Sequence, residues 1–192
     1  MEIDFVITWV DMSDTKWQKD FVKYSSKAEN EKNSVSVARF RDYGLLKFWF
    51  RGVEKFAPWV RKIHFVTCGQ KPEWLDENHP KINLVNHKDF IPNRFLPSYN
   101  SVIIERYLHK IADLREHFVY FNDDFYIINH INKNRFFQNG LPCDISIFQY
   151  NPNWSQWYIR IKNNIKLINK HFNKKEVINK FYHKWFSPLY GK

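Results

Sequence analysis

The chain has 192 residues, a formal net charge of +10 and 44% hydrophobic residues, enough for one packed domain with a small appendage and too apolar for general disorder. Its 5 glycines show neither GxG nor GxxxxGK spacing, which excludes a P-loop and the usual dinucleotide fingerprint. Cys68 and Cys143 form no CxxC or zinc-knuckle pattern, and no apolar run reaches the roughly 18 residues of a membrane span. The acidic start Met1-Glu2-Ile3-Asp4 leads straight into an apolar run, so no export signal and a reduced, cytoplasmic setting are expected.

Ile3–Val10 is a short β-branched run and reads as a buried strand, followed by the loop Asp11-Met12-Ser13-Asp14. Residues 15–38 are polar and helix-compatible. From Asp42 to Phe56, Leu45, Leu46, Trp49, Val53 and Phe56 recur at helical spacing until Ala57-Pro58. Ile63–Cys68 and Ile82–Val85 read as the second and third strands. Asn100–Leu114 reads as a helix with Ile103, Ile104, Leu108 and Ile111 on one face. Phe118–Phe121 is the fourth strand, with Asn122-Asp123-Asp124 at its end. Ile159–Phe172 and Lys175–Trp185 read as basic amphipathic helices. Strands alternating with helices predict an α/β fold with a mainly parallel sheet, divided into a core at 1–150 and a basic helical appendage at 151–192. Ligands of such sheets bind beyond the carboxyl ends of the strands, where both acidic clusters fall.

The charge is uneven. Residues 151–192 carry 9 Lys/Arg against 1 Asp/Glu, a net of +8, and residues 1–150 carry 21 against 19, a net of +2. A basic tail of this kind is a solvated surface, a contact for an anionic membrane face, or a contact for an anionic polymer. No RRM, KH or zinc-finger signature supports nucleic acid as a partner.

Several clusters carry chemistry. Two adjacent carboxylates, Asp123 and Asp124, resist burial, and suit a divalent cation bridging phosphate oxygens, a general base for a hydroxyl, or an ordinary turn. Trp9 with Asp11 and Asp14 offers a ring for a nucleobase and acids for ribose, or else a core tryptophan with turn-forming residues. Arg39 and Arg41 before Asp42, a plausible helix cap, form an anion clamp or a surface ion pair. Ser101 opens a helix that carries Glu105 and His109, four residues apart on a shared face, which form a polar site wall or an ordinary ion pair. The other histidines show no metal-ligand spacing.

Taken together, IDFVITWVDMSD, RFRDYGLLKFWFRGVEKFAPWVRKIHFVTCGQKPEWL and FLPSYNSVIIERYLHKIADLREHFVYFNDDF resemble the first two conserved regions of the Stealth family over about residues 2–126. The family comprises capsular polysaccharide phosphotransferases related to the lysosomal-enzyme GlcNAc-1-phosphotransferase. The resemblance implies a glycosyltransferase-A-like core. It also implies transfer of a sugar 1-phosphate from a nucleotide-sugar, typically a UDP-hexose, to an acceptor sugar hydroxyl, with release of the nucleoside monophosphate. By position it places Trp9, Asp11 and Asp14 in the nucleotide loop and Arg39, Arg41 and Asp42 at the diphosphate. Ser101, Glu105 and His109 would line the site, and Asn122, Asp123 and Asp124 would hold the catalytic and metal positions, with Mg²⁺ or Mn²⁺ as cofactor. Arg41 and His109 join the two aspartates as expected catalytic groups. The expected partners are the nucleotide-sugar, an oligo- or polysaccharide acceptor and the inner membrane face. Family members continue into a third and a fourth region beyond the point where this chain ends, which raises the expectation of a truncated or split product. Met12 stands where the family more often has glycine, which would stiffen that turn. Two rivals remain: a metal-dependent glycosyltransferase that releases UDP, and an inactive truncated binding module.

Overall fold

A computed structural model describes residues 1–25, 43–144 and 156–185, in two compact units, Met1–Pro142 and Cys143–Lys192. The first unit is built on four parallel strands, β1 (Asp4–Thr8), β2 (Ile63–Thr67), β3 (Ile82–Asn86) and β4 (Phe118–Phe121), in the order β3-β2-β1-β4. It is the α/β, glycosyltransferase-A-like arrangement expected from the alternating pattern. The chain moves outward from β1 to β3 and then returns to place β4 on the other side of β1. The sheet therefore has a topological switch point between β1 and β4.

Side chains alternate across the strands and bury both faces. Phe5, Ile7, Phe65 and Phe121 pack against α2 (Leu46–Phe56), which buries Leu46, Trp49, Gly52 and Val53. Val6, Val66 and Val85 face Phe90, Ile91, Leu108 and Ile111 on the other side. The rings of Phe5, Trp49 and Phe121 meet at centroid distances of 4.7–6.4 Å, so the first cluster is largely aromatic. α2 approaches the chain at Ile127 so closely that a Cβ at Gly52 would stand 2.6 Å from the Ile127 carbonyl oxygen.

α1 spans Thr15–Ser25, and α3 (His87–Phe90) is capped at Asn86 by a complete capping box. α2 begins at Leu46, four residues later than its periodicity suggests. Gly44 sits at φ +69°, a left-handed conformation that interrupts helical winding, and Leu45 at the helix entry makes no side-chain cap. α4 is Ser101–Tyr107, shorter than the Asn100–Leu114 reading. Its last turn tightens into a 3-10 turn at Leu108–Lys110, and Asp113 then takes φ +62°. The hairpin β5 (Phe137–Gln138) and β6 (Leu141–Pro142) was not foreseen, although its Asn139-Gly140 turn, both residues at positive φ, is a strong hairpin signal.

The amino end of the sheet is tied by charge. Asp4 is fully buried and its carboxylate accepts from Arg61 Nε at 2.8 Å and Nη2 at 2.6 Å. It also accepts from the Arg115 backbone N–H at 2.9 Å and lies 3.1 Å from His64 Nε2. Asn83 holds the other His64 nitrogen at 2.9 Å, and Asp113 takes Arg61 and Lys62. Burial pushes the Asp4 carboxyl up, but the hydrogen bonds from Arg61, Arg115 and His64 outweigh it and hold it below the usual range.

In the second unit, α5 (Gln156–Ile168) is followed by α6 (Lys174–Lys180) and α7 (Tyr182–Trp185), so the Lys175–Trp185 helix is interrupted at Phe181. No described side chain of these helices is buried.

Candidate active site

The switch point is flanked by the two acidic turns. β1 and β4 pair directly, with Ile7 opposite Phe121, so the loop at 11–14 and the turn at 122–125 leave the same edge of the sheet from neighbouring strands. Their closeness follows from strand order, since each turn leaves its strand at the carboxyl end.

The turn after β4 is closed by the Phe125 N–H donating to the Asn122 carbonyl at 3.2 Å. Asn122, Asp123 and Asp124 are all exposed on it, so the adjacent carboxylates avoid the desolvation cost that burial would impose. The turn geometry is that of the plainer reading of these residues, yet it leaves both carboxylates facing solvent.

The loop after β1 is built by its own acids. Asp11 accepts from the Ser13 N–H at 2.8 Å and the Ser13 hydroxyl at 2.6 Å. Asp14 caps α1 by accepting from the Lys16 and Trp17 N–H groups at 2.8 and 3.2 Å. Gln70, in the loop after β2, clasps the turn. It accepts from the Asp11 N–H at 2.9 Å and donates to the Asp11 carbonyl at 2.7 Å and to Asp14 at 3.1 Å. The Gln70 bond, with the backbone donors, draws the Asp14 carboxyl below its usual range. Gln70 carries no chemistry of its own and was missed in the sequence; only its position just after a strand end hinted at a role. Gly69 before it takes φ +101°, which lets the chain turn there. Met12 keeps a negative φ, so the residue found in place of glycine imposes no backbone strain.

Trp9 requires a correction. It is only 8% exposed and its ring packs 5.8 Å from Phe65 in the aromatic core. It supports the loop from beneath and has no open face for a nucleobase.

Ser101 and Glu105 lie exposed on α4, and His109 is exposed in the 3-10 turn after it. The tightened turn breaks the α-helical spacing expected between Glu105 and His109. Glu105 instead reaches toward the end of the sheet. Tyr120 on β4 meets the Thr8 hydroxyl of β1 at 3.1 Å. Burial raises the Tyr120 phenol, the Thr8 bond opposes this, and the carboxylates of Glu105 and Asp123 raise it further. Thus Thr8, Glu105, Tyr120 and Asp123 share one neighbourhood at the switch point. In the sequence Tyr120 and Thr8 are plain strand residues, and their alternation along β1 and β4 is the only signal of this role.

Ring contacts pin α1 over this edge. Trp17 and Phe21 stack at 4.9 Å, and Tyr99, just before α4, meets them edge-on at 5.6 and 5.2 Å. Burial, with nearby Asp20, pushes the Tyr99 phenol up to about 12. Arg39, Arg41 and Asp42 lie outside the described residues.

Among the described residues no three His, Cys, Asp or Glu side chains stand together as a ready ligand set. Mg²⁺ commonly takes one or two carboxylates and completes its shell with water and substrate phosphates. The exposed Asp123–Asp124 pair fits that mode of binding.

Residues 1–29 match the model of Stealth protein conserved region 1 and residues 39–144 that of Stealth protein conserved region 2. The chain belongs to the Stealth family. Region 1 contributes the 11–14 loop and region 2 the 122–125 turn, so the two Stealth regions meet at the switch point. The chain is 43% identical over 192 residues to the capsular polysaccharide phosphotransferase WcwK of Streptococcus pneumoniae, covering 100% of this chain and 57% of the relative. It is 38% identical over 192 residues to the capsular polysaccharide phosphotransferase eps5J of Streptococcus thermophilus, covering 98% and 80%. It is 40% identical over 191 residues to the exopolysaccharide phosphotransferase cps2G of Lactiplantibacillus plantarum, covering 99% and 56%. The chain thus spans little more than half the length of several curated Stealth relatives.

Proposed function

We propose that this chain carries the donor-binding and catalytic part of an enzyme of capsule or exopolysaccharide synthesis. It would transfer a sugar 1-phosphate from a nucleotide-sugar, a UDP-hexose by family likeness, to a hydroxyl of an acceptor sugar. The observation that carries the reading is the pair of acidic turns flanking the β1–β4 switch point, in a chain whose Stealth relatives are named polysaccharide phosphotransferases.

The acceptor oxygen attacks the donor's β-phosphorus. A new P–O bond forms, the bond from that phosphorus to the bridging oxygen breaks, and UMP leaves with the bridging oxygen. The acceptor's proton passes to Asp123 or Asp124, whose exposed carboxylates stand at the strand end where a substrate hydroxyl can reach them. Asp11 and Asp14, fixed by Ser13, Gln70 and the start of α1, hold the loop that receives the nucleotide. Glu105, through Tyr120 and Thr8, steadies the floor; Ser101, His109 and Asn122 line the walls. Arg39, Arg41 and Asp42 are assigned to the diphosphate from the family likeness. Asp123 and Asp124 would hold a Mg²⁺ or Mn²⁺ ion, which when bound neutralises charge on phosphate oxygens. Fixed position and charge complementarity supply most of the rate in such transfers.

The test is product analysis. UDP-hexose and an oligosaccharide acceptor are expected to give UMP and a product with a phosphodiester ³¹P signal. Release of UDP with no phosphorus in the linkage establishes ordinary glycosyl transfer instead. Donor binding without turnover, restored by the additional length of a longer relative, identifies a binding module.

A further inference from the structure

A recess lies away from the switch point, between α2, the starts of β2 and β3, and the loop that joins those strands. It encloses about 510 Å³. Its floor is formed by the buried Val53, Ala57, Val60 and Leu75. At its mouth stands Trp74, 46% exposed, with its ring edge-on to Phe50 at 5.6 Å. Lys47 and Arg51 line the same recess from successive turns of α2, and neither is in an ion pair among the described residues.

We propose that this recess is a subsite for an anionic glycan, the phosphodiester-linked polymer that the proposed reaction extends. The assignment rests on that reading for the identity of the polymer, but on its own residues for the chemistry. An exposed indole offers the flat apolar face on which a sugar ring stacks. Two cations one turn apart match a phosphodiester anion. Glu54 and Asp76, also in the lining, offer acceptors for sugar hydroxyls. A site for an aliphatic chain has no use for carboxylates of this kind, so charge of both signs around an aromatic favours glycan over lipid. Position agrees as well. Gln70 clasps the 11–14 loop, and Trp74 follows it by four residues, a reach of at most about 14 Å. One short loop therefore touches the candidate active site at one end and the recess at the other.

The full chain is titrated with a synthetic oligosaccharide of hexoses joined by phosphodiesters and with a phosphate-free oligosaccharide of equal length. Calorimetry and indole fluorescence report binding. The phosphodiester form should bind at least tenfold more tightly, and Trp74→Ala and the double change Lys47→Gln with Arg51→Gln should each weaken it at least tenfold. Thermal melts identify folded variants, and Trp74→Phe serves where Trp74→Ala does not fold, with a smaller loss expected. Equal binding of the two oligosaccharides, wild-type affinity in folded variants, or tighter binding of dodecyl phosphate overturns the proposal. UDP-hexose is titrated in parallel. Donor binding without oligosaccharide binding removes the recess and spares the transferase reading; the reverse result keeps the recess and removes that reading.

Discussion

The two edges of the same sheet treat carboxylates in opposite ways. At the amino edge, Asp4 is fully buried, and four donors from Arg61, Arg115 and His64 surround it. At the carboxyl edge, Asp123 and Asp124 stand exposed on a four-residue turn closed by the Phe125 N–H on the Asn122 carbonyl. A carboxylate whose acceptor sites are filled by protein has none left for a ligand. An exposed one can be reached by a metal ion or a substrate hydroxyl. The amino edge therefore holds the strands together, and the carboxyl edge carries the candidate chemistry.

The largest expected effect lies at the carboxyl edge. Asp124→Asn or Asp123→Asn should lower UMP release by about 10²–10⁴-fold, the usual range for loss of an acid–base group. The melting temperature should fall far less than for a buried carboxylate, because both side chains are exposed. Full activity in both variants would remove the pair from the mechanism. At the amino edge the pattern inverts. Asp4→Asn removes the buried one of Arg61's two carboxylate partners, leaving only the exposed Asp113, and should destabilise the fold by about 3–5 kcal/mol in denaturant unfolding. An Asp4→Asn protein as stable as wild type would contradict the structural role given to this edge.

Legibility in the sequence followed the same division. The four strands were readable from apolar β-branched runs, because a parallel sheet buried on both faces needs nothing subtler. The acidic turns were readable because Asp and Asn just after an apolar run have no core role. The amino-edge network was not. Asp4 sits inside the first strand, and its partners lie 57, 60 and 111 residues away, a pairing that only strand order creates. Helix ends were misplaced where backbone geometry decided them, at Gly44 and in the 3-10 turn at Leu108–Lys110. Trp9 illustrates the limit of local reading, since a ring beside two acids looks the same whether it faces a ligand or the core.

Buried histidines at both edges tie stability to pH. His87 is buried at the carboxyl end of β3, and burial pushes its imidazole down to about 4 from 6.5. Below pH 6.5 the unfolded chain takes up a proton that the folded chain refuses until about pH 4. Stability is therefore flat above 6.5 and falls by about 3 kcal/mol between 6.5 and 4. His64, also held down by burial, adds a decline of the same sign. Asp4, held below its ordinary value, retains its contribution through this window and loses it only at lower pH. His87→Gln should flatten the decline, and an unchanged slope in unfolding measurements from pH 7 to 4 would refute the assignment. Somewhat smaller is Gly52→Ala, whose methyl would press on the Ile127 carbonyl and cost about 1–3 kcal/mol. A melting temperature at or above wild type would show that the 127–131 segment yields freely.

The smallest effect concerns the second unit. On α5, Arg160, Lys162 and Lys166 alternate with exposed Ile159, Ile165, Leu167 and Ile168. No described helix is long and apolar enough to cross a membrane. Mixed cations and exposed apolar groups suit a helix lying along an anionic lipid face, where each cation contributes about 1 kcal/mol. Co-sedimentation with phosphatidylserine vesicles should fall as salt rises from 0.1 to 0.5 M, since screening shortens the reach of surface charge below about 10 Å. Lys162→Glu with Lys166→Glu should weaken it further while UMP release from a soluble acceptor is retained. Vesicle binding indifferent to both salt and charge reversal would leave only the apolar residues to explain the contact, and the excess positive charge of residues 151–192 would have no part in it.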